Sequence, residues 1–313
     1  MLSRWLTAVA VALLFVSAAL AAPPAHIVVT LLGTGNPRPD DRRFGPAILV
    51  EADEERILID AGRGATIRLF SIGRAPLLSG ITAVLLTHLH SDHTVGLPDL
   101  WLTGWIFGRR EPLAVYGPAG TRTLTEHLTQ AYAFDVHMRR DVDERLPATG
   151  ADFDAHDVTP GVVFARHGVT VTAFAVDHGP VTPAYGYRIE HGGRVVVFSG
   201  DTRYSAAVAA AARGADLLVH EVLSPEVERR LSAMRDPAQI ERVIAHHTTP
   251  EEAGRLFADA KPRLAVYSHI VPSPARPADL VPPTRRAYKG PLVVGTDLMR
   301  IDVGPRIVIS QRR

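Results

Sequence analysis

Four side chains that can bind divalent metals lie within residues 88–93, in the order His-Leu-His-Ser-Asp-His. They are His88, His90, Asp92 and His93, and imidazole and carboxylate groups are ligands that zinc prefers. His88 and His90 alternate at the end of an apolar run, so their side chains point the same way and can share one ion. Asp92 and His93 follow on a turn and can face a second ion. The alternative is a histidine-rich surface loop, but a cluster this dense arises by chance in roughly one chain in a thousand, so we expect a metal site.

The secondary structure predicted around this cluster places it at the end of a strand. An apolar run at Ala83–Leu86 predicts a short buried strand that leads directly into the cluster. Nearer the start of the chain, Ile27–Leu32 predicts a strand that ends in the turn Gly33–Pro37. This turn lacks the glycine spacing and the following helix of a nucleotide-binding loop. Strands and helices alternate from residue 26 onward, apart from residues 135–160, which are polar, lack periodicity and are expected to be irregular.

The metal cluster and its continuation Gly96-Leu97-Pro98 resemble the signature of the metallo-β-lactamase superfamily, in its ribonuclease Z and arylsulfatase-like branch. The Leu-Gly-Thr-Gly start at residues 32–35 is similar to the first strand and loop of that family. The resemblance spans nearly all of residues 26–313. It implies an α/β fold, a four-layer αβ/βα sandwich in which two facing mixed β-sheets are flanked by helices and metals bind at one edge. We therefore expect residues 22–313 to form a single domain of this fold.

The resemblance also implies the remaining metal ligands. His178, followed by Gly-Tyr-Arg-Ile at 186–189, matches a ligand of the first ion, while nearby His191 lies in a His-Gly-Gly turn and is expected to be exposed. Asp201 matches a carboxylate that bridges both ions, and His269 matches the last ligand of the second ion. Each candidate follows an apolar strand, so one sheet edge could gather them, independently of the resemblance. The expected cofactors are two zinc ions, held by His88, His90, Asp92, His93, His178, Asp201 and His269.

Three residues are expected to take part in catalysis: Asp92, His247 and Glu221. His247 precedes two threonines and matches a family histidine that donates a proton, and Glu221 matches the glutamate that orients it. The alternative for His247 is a residue before a helix cap without chemistry; the adjacent His246 fits the pattern less well. Asp60 corresponds to an aspartate that braces the metal-binding loop by holding a ligand histidine, with a helix N-cap as its alternative.

Residues 1–21 differ in kind from the rest of the chain. Arg4 precedes an apolar stretch that closes with Ala19-Leu20-Ala21, which is typical of a cleaved secretory signal peptide. An uncleaved membrane anchor is the alternative. The sequence has no cysteine, which excludes a lipoprotein anchor and thiolate ligands. We therefore expect a periplasmic or secreted protein without stable membrane association after cleavage.

The net charge argues against partners that carry many charges of one sign, such as nucleic acid or an anionic membrane. Removing Arg4 with the signal from the 34 Lys and Arg leaves 33, against 33 Asp and Glu, so the mature chain is neutral. A neutral chain has no general attraction for nucleic acid or for an anionic membrane. The predicted partner is therefore a small-molecule ester, with nucleic acid disfavoured. The oligomeric state stays open, a homodimer included.

These observations favour an exported binuclear zinc hydrolase that cleaves small esters (arylsulfate, phosphodiester or related) with a hydroxide bridging the metals. The alternative is a ribonuclease Z-type endonuclease that processes the 3′ end of transfer RNA. It is disfavoured because an exported enzyme would not meet transfer RNA precursors. Moreover, only 22 residues, 179–200, separate His178 from Asp201, too few for the long substrate-gripping arm of the bacterial family members. A metal-binding protein without catalysis fits the full ligand set poorly, and a true β-lactamase does not match Asp201.

Overall fold

The computed structural model describes residues 25–232 and 234–311 of the chain. Fifteen β-strands are found among these residues. In chain order they are β1 (Ile27–Gly33), β2 (Ala47–Ala52), β3 (Glu55–Ile59), β4 (Ala83–Leu85), β5 (Leu113–Gly117), β6 (Phe153–Asp157), β7 (Gly161–Arg166), β8 (Val169–Ala175), β9 (Tyr185–His191), β10 (Arg194–Phe198), β11 (Leu217–Leu223), β12 (Leu264–Val271), β13 (Leu292–Val294), β14 (Met299–Val303) and β15 (Ile307–Gln311).

Ten α-helices connect these strands in the described part of the chain. They are α1 (Ala65–Ser79), α2 (Ser91–Thr94), α3 (Leu97–Ile106), α4 (Thr121–Ala131), α5 (Ala133–His137), α6 (Ala206–Ala211), α7 (Pro225–Leu231), α8 (Pro237–Ala245), α9 (Pro250–Ala260) and α10 (Pro277–Thr284). A π-helical turn at Met138–Val142 and a 3-10 turn at Thr149–Ala151 follow α5. No helix in the described ranges combines the length and apolar character that crossing a membrane requires.

The strands form two mixed sheets. The first has the order β15-β14-β1-β2-β3-β4-β5-β6, and its members β3 to β6 run parallel. The second has the order β13-β12-β11-β10-β9-β8-β7, and β10 to β13 run parallel. Because the carboxyl ends of parallel neighbours share an edge, each sheet can present several loop residues at one place.

The main core lies between the two sheets. Ile57 and Leu85 of the first sheet share one apolar cluster with Tyr187 and Val219 of the second, and all four are at most 3% exposed. Burying an aliphatic or aromatic side chain of this size contributes about 1.5–3 kcal/mol. Separate apolar clusters join α1 and α3 to the outside of the first sheet, and α6 and α9 to the outside of the second. The predicted four-layer αβ/βα sandwich is therefore confirmed.

The sequence-based expectation was wrong for residues 135–160, which contain strand β6 and short helical turns rather than only irregular backbone. Strand β6 reads Phe-Asp-Ala-His-Asp and lies at the edge of the first sheet. An edge strand can carry polar residues on both faces, so it shows no clear apolar alternation. The predicted signal peptide at residues 1–21 lies outside the described residues and stays a prediction.

Candidate metal centre

The seven predicted metal ligands lie at one edge of the sandwich, where strands of both sheets end. In the first sheet, β4 leads to the turn with His88 and His90, and α2 then carries Asp92 and His93. Three ligands come from the second sheet: His178 after β8, Asp201 after β10 and His269 within β12. Residues separated by up to 181 positions in sequence thus meet at one place, as the strand-end pattern predicted.

His88, His90 and His178 form one half of the centre, which we call the first half. The Nδ1 atom of His90 lies 3.1 Å from Nε2 of His88 and 3.4 Å from Nε2 of His178. The rings of His88 and His178 are buried, whereas His90 is half-buried. The three nitrogens lie within 4.8 Å of one another, close enough to hold one metal ion together.

Asp92, His93 and His269 form the second half. The Oδ2 atom of Asp92 lies 3.3 Å from Nε2 of His269 and 3.6 Å from Nε2 of His93. All three side chains are buried. This half therefore combines two imidazoles and a carboxylate around a second point.

The carboxylate of Asp201 lies between the two halves. Its Oδ2 atom is 3.3 Å from Nε2 of His269 and 3.4 Å from Nε2 of His93. The same oxygen is 3.9 Å from Nε2 of His88 and 4.0 Å from Nε2 of His178. A carboxylate at this position can serve an ion in either half.

The donor atoms of the centre fit a metal better than a structural polar core. The Nε2 of His93 and the Oδ1 of Asp201 are buried and form no hydrogen bond with any residue that the structure describes. Leaving a buried polar atom unsatisfied costs about 1–3 kcal/mol, and a cation would satisfy both atoms. Imidazole and carboxylate ligands without sulfur suit zinc and other divalent first-row metals.

Further hydrogen bonds fix the orientation of the ligand rings. Asp60 accepts a hydrogen bond from Nδ1 of His93 at 2.8 Å, and its other oxygen accepts one from the backbone N–H of Thr87 at 2.8 Å. His178 donates from Nδ1 to the backbone carbonyl of His246 at 2.9 Å. In both rings Nε2 is then the atom that faces the centre. Asp60 thus makes the bracing contact that the resemblance implied, and it does not cap helix α1.

The backbone is left-handed at two residues of the centre, with φ of 59° at Asp60 and 43° at His269. Such a conformation costs a non-glycine residue on the order of 1 kcal/mol or more, so the surrounding contacts must hold it. His269 also lies where the pairing of β11 with β12 shifts register. A bulge of this kind redirects a side chain, and here it turns the imidazole toward Asp92 and Asp201.

The two predicted catalytic residues outside the ligand set are in contact with each other. The Nδ1 atom of His247 lies 3.1 Å from Oε1 of Glu221, and both side chains are buried. The same glutamate oxygen accepts hydrogen bonds from the backbone N–H groups of Thr202 and Thr248, both at 3.1 Å. Glu221 is thereby held in one position, and it holds His247 at the metal edge.

Sequence analysis missed the contacts of Thr202, Thr248 and His246 at this site. All three act through backbone groups, which leave no side-chain signature in the sequence. The sequence signal available for these residues was their position beside predicted site residues. Thr202 follows Asp201 directly, and His246 and Thr248 flank His247.

Electrostatics differ between the two halves. Burial lowers the pKa of His88 well below its ordinary value and the pKa of His178 to about 4, so both rings are neutral at pH 7. Burial also acts against a charge on His93 and His269. There, however, nearby carboxylates, Asp201 foremost, outweigh burial and raise the pKa of both rings. Without metal, the second half therefore retains protons more strongly than the first.

Residues 55–270 of the chain match the Beta-lactamase superfamily domain. Ribonuclease Z of Mycobacterium sp. (strain KMS) is 37% identical over 288 residues, which are 91% of this chain and 99% of that protein. The chain belongs to the metallo-β-lactamase superfamily. Ribonuclease Z of Mycobacterium tuberculosis (strain H37Rv) is 34% identical, over 89% of this chain and 98% of the relative. The expected ribonuclease Z branch of the superfamily is therefore confirmed.

Solved structures show the same fold. A metallo-beta-lactamase fold protein of Bacillus subtilis, YhfI, superposes with a TM-score of 0.68 at 20% identity, covering 88% of this chain and 99% of its own. The short form of human tRNase Z superposes with a TM-score of 0.65 at 22% identity, with coverage of 88% and 99%. At these identities the likeness supports the superfamily fold alone.

The relatives overturn the main functional prediction. The expected exported hydrolase of small esters, with a small-molecule partner and without nucleic acid, is wrong, because relatives that match almost end to end are ribonucleases. The predicted periplasmic or secreted location depended on the same export argument and is wrong with it. The arylsulfatase-like assignment finds no support, whereas membership of a metallo-hydrolase superfamily stands.

Two of the three arguments against a ribonuclease, the net charge and the missing arm, had a weak physical basis. Net charge sums over the whole surface, whereas a nucleic acid responds to the charges near its own binding site. The missing arm does not exclude the family either. The alignment of 288 residues covers 91% of this chain and 99% of the mycobacterial relative, which leaves no room for an arm of tens of residues inserted in that relative.

Proposed function

We propose that this protein is a metal-dependent endonuclease that hydrolyses a phosphodiester bond at the 3′ side of transfer RNA precursors. The observation that carries the proposal is the nearly full-length match to proteins named Ribonuclease Z. The geometry of the metal edge supports the hydrolytic chemistry that such a reaction needs, because ligands for two ions lie beside a histidine–glutamate pair.

Two zinc ions are the proposed cofactors, and seven side chains would hold them. When bound, such ions polarise a phosphoryl oxygen and make water a better nucleophile. The first ion would be held by His88, His90, His178 and Asp201, and the second by Asp92, His93, Asp201 and His269.

Asp92 is proposed to act in catalysis as well as in binding. Burial disfavours a charge on this side chain, but the hydrogen bond from His269 and the charge of His93 outweigh it and lower the pKa of Asp92. Asp92 is therefore an ionised carboxylate, which can bind a cation and can accept a proton from the attacking water.

His247 is proposed to donate a proton to the leaving 3′ oxygen of the RNA. Burial lowers the pKa of His247 to about 4 and raises the pKa of Glu221 well above its ordinary value. Both shifts favour a neutral imidazole beside a protonated, uncharged carboxyl group. In that state the pair carries one proton more than it would with an ionised carboxylate. Nδ1 of His247 and Oε1 of Glu221 are 3.1 Å apart, close enough to share that proton, so the pair can supply one to a leaving group.

Exposed arginines near the metal edge offer contacts for an RNA backbone despite the neutral chain. Arg38 lies on the loop after β1, and Arg63 lies on the loop after β3, three residues after Asp60. Both are exposed, and neither forms an ion pair with a residue in the described ranges. Unpaired guanidinium groups are suited to bind phosphate oxygens.

The proposal is tested with a transfer RNA precursor that carries a labelled 3′ trailer. We expect the purified chain with added zinc to release the trailer, a chelator to abolish release, and zinc to restore it. Mature transfer RNA without a trailer serves as the control and should stay intact. Chelator-sensitive hydrolysis of bis-nitrophenyl phosphate without any trailer release would contradict the transfer RNA assignment.

A further inference from the structure

The loop between β1 and β2 contacts the backbone immediately after His269. The carbonyl oxygen of Thr34 accepts a hydrogen bond from the backbone N–H of Ile270 at 2.9 Å. On the other side of the same residue, the side-chain amide of Asn36 donates from Nδ2 to the carbonyl oxygen of Ile270 at 2.6 Å. Both backbone groups of Ile270 are thus bonded to this loop.

This contact lies beside His269, a residue whose backbone conformation is strained. His269 adopts a left-handed φ of 43°, at the point where β11 and β12 lose their regular pairing. Asn36 is the only asparagine in the 313 residues, and its side chain is 3% exposed. A buried amide bonded to the residue after a strained ligand fixes the direction in which that ligand leaves the strand.

The loop is itself firmly anchored, so it can act as a rigid clamp. Thr34 donates from its backbone N–H and its hydroxyl to Oδ1 of Asp297, at 2.9 and 2.8 Å. The backbone N–H of Phe44 donates to the other oxygen of Asp297 at 2.8 Å. Asn36 also accepts the backbone N–H of Arg38 at 2.9 Å, which closes a tight turn.

The first half of the metal centre has different supports. His178 is oriented by the carbonyl of His246, and His88 lies with its Nδ1 3.0 Å from the hydroxyl of Thr87. No hydrogen bond joins Asn36 to His88, His90 or His178 in the described part of the chain. Loss of the Asn36 amide therefore acts on the second half alone.

We propose that Asn36 is a positioning residue that holds His269 in its ligand geometry and thereby sets the affinity of the second metal site without changing the first. The inference rests on the ligand set given under the proposed function, but not on the identity of the substrate. It assigns the loop of residues 34–46 to the metal centre, although none of its side chains is a ligand.

Two variants distinguish the loss of the amide's hydrogen bonds from the loss of the side chain's volume. Asn36→Leu keeps a side chain of similar size and removes both polar atoms, and Asn36→Ala removes the side chain. Arg42→Ala is the matched control on the same loop, because its side chain is 91% exposed. Thr125→Ala removes a buried hydroxyl of α4 that donates to Arg122, and it controls for a general loss of stability.

The measurement is metal binding by the chelated full-length chain. Zinc is titrated by calorimetry in competition with a chelator, and cobalt is titrated by its visible absorption. For both Asn36 variants we expect one of two dissociation constants to rise about 10–100-fold, as for other groups that orient a metal ligand. The other constant should stay within about twofold. Both controls should match the wild type.

Three results would overturn the inference: two unchanged constants in Asn36→Leu, an equal rise of both constants, or a wild type that binds a single ion. Circular dichroism and thermal unfolding establish that each variant is folded, and Asn36→Leu remains available should Asn36→Ala unfold. Cleavage of a transfer RNA precursor is assayed in parallel. Failure of the wild type in that assay contradicts the proposed function, while the selective change in one metal constant would still support the role of Asn36.

Discussion

The two halves of the metal centre are built from similar side chains but in different surroundings. The first half contains three imidazoles, of which His90 is half-buried and His178 is held neutral, with its pKa lowered to about 4. In the second half, His93 and His269 lie against carboxylates that raise their pKa values. The first half can therefore accept a cation without displacing a proton, whereas the second exchanges protons for metal.

The halves also differ in what holds them in place. The first half depends on a strand end, on the Thr87 hydroxyl beside His88 and on the backbone carbonyl of His246. The second depends on Asp60 and His269, whose backbones are both left-handed, and on contacts from the loop after β1. The comparison suggests that the second half is the more easily altered by substitutions that leave the ligands themselves intact.

The largest expected effect comes from removing the carboxylate that the halves share. Asp201→Ala deletes Oδ2, which lies within 4.0 Å of ring nitrogens in both halves. We therefore expect both halves to lose bound zinc and the chain to lose RNA cleavage. Elemental analysis measures the metal content, with Asp99→Ala, an exposed aspartate of α3, as the control. Retention of two zinc ions per chain would refute the shared position.

The next effect concerns His247, whose ring lies 5.2 Å from His178 and 5.7 Å from His269 and so borders both halves. His247→Ala should slow RNA cleavage by about 10²–10⁴-fold, because the leaving alkoxide then lacks a proton donor. Hydrolysis of bis-nitrophenyl phosphate, whose leaving group needs no proton, should fall far less. The control is His191→Ala; contrary to expectation, this residue is half-buried and ends strand β9, paired with β8, and it is not a ligand. An equal loss on both substrates would speak against proton donation.

A smaller effect is expected from the group that braces the second half. Asp60→Asn weakens the acceptor for Nδ1 of His93, and affinity at the second site should fall about 10–100-fold. The first site should weaken less, because Asp60 reaches His88 only through the hydroxyl of Thr87. Chelator competition measures both constants. Should both sites weaken equally, the independence of the two halves would be lost.

The last effect is the pH dependence of metal binding, which leaves the ligand set intact. The raised pKa values of His93 and His269 mean that protons must leave when the second ion binds, so its affinity should rise with pH, by up to about tenfold per unit for each displaced proton. His178, with a pKa of about 4, has no proton to lose between pH 6 and 8. Calorimetry across that range should show a steep dependence at one site and a flat one at the other; parallel slopes would contradict the comparison.

The metal edge could be predicted because much of its information is local. His88 to His93 form a dense cluster after an apolar run, and the other ligands each follow a recognisable strand. Parallel strands end at a common edge, so strand-end ligands meet there whatever the details of the loops. The sandwich was implied by the family resemblance, and the alternation of strands and helices agrees with it.

Contacts between distant segments could not be predicted in this way. Asn36 bonds a carbonyl 234 positions away, and nothing in its neighbourhood signals that partner. The supports of Glu221 are backbone N–H groups, which every residue but proline carries. Strand β6 was missed because an edge strand needs no apolar alternation. The substrate was misassigned because a total charge and a missing arm were read as properties of the binding site.

The most direct consequence of the proposed ligand arrangement is the uptake of two ions by seven side chains. Native mass spectrometry of the chelated full-length chain, titrated with zinc at pH 7, measures this uptake. We predict two zinc adducts in two resolved steps, and no second adduct in His269→Ala. A wild-type chain that takes up a single ion, or none, would contradict the account.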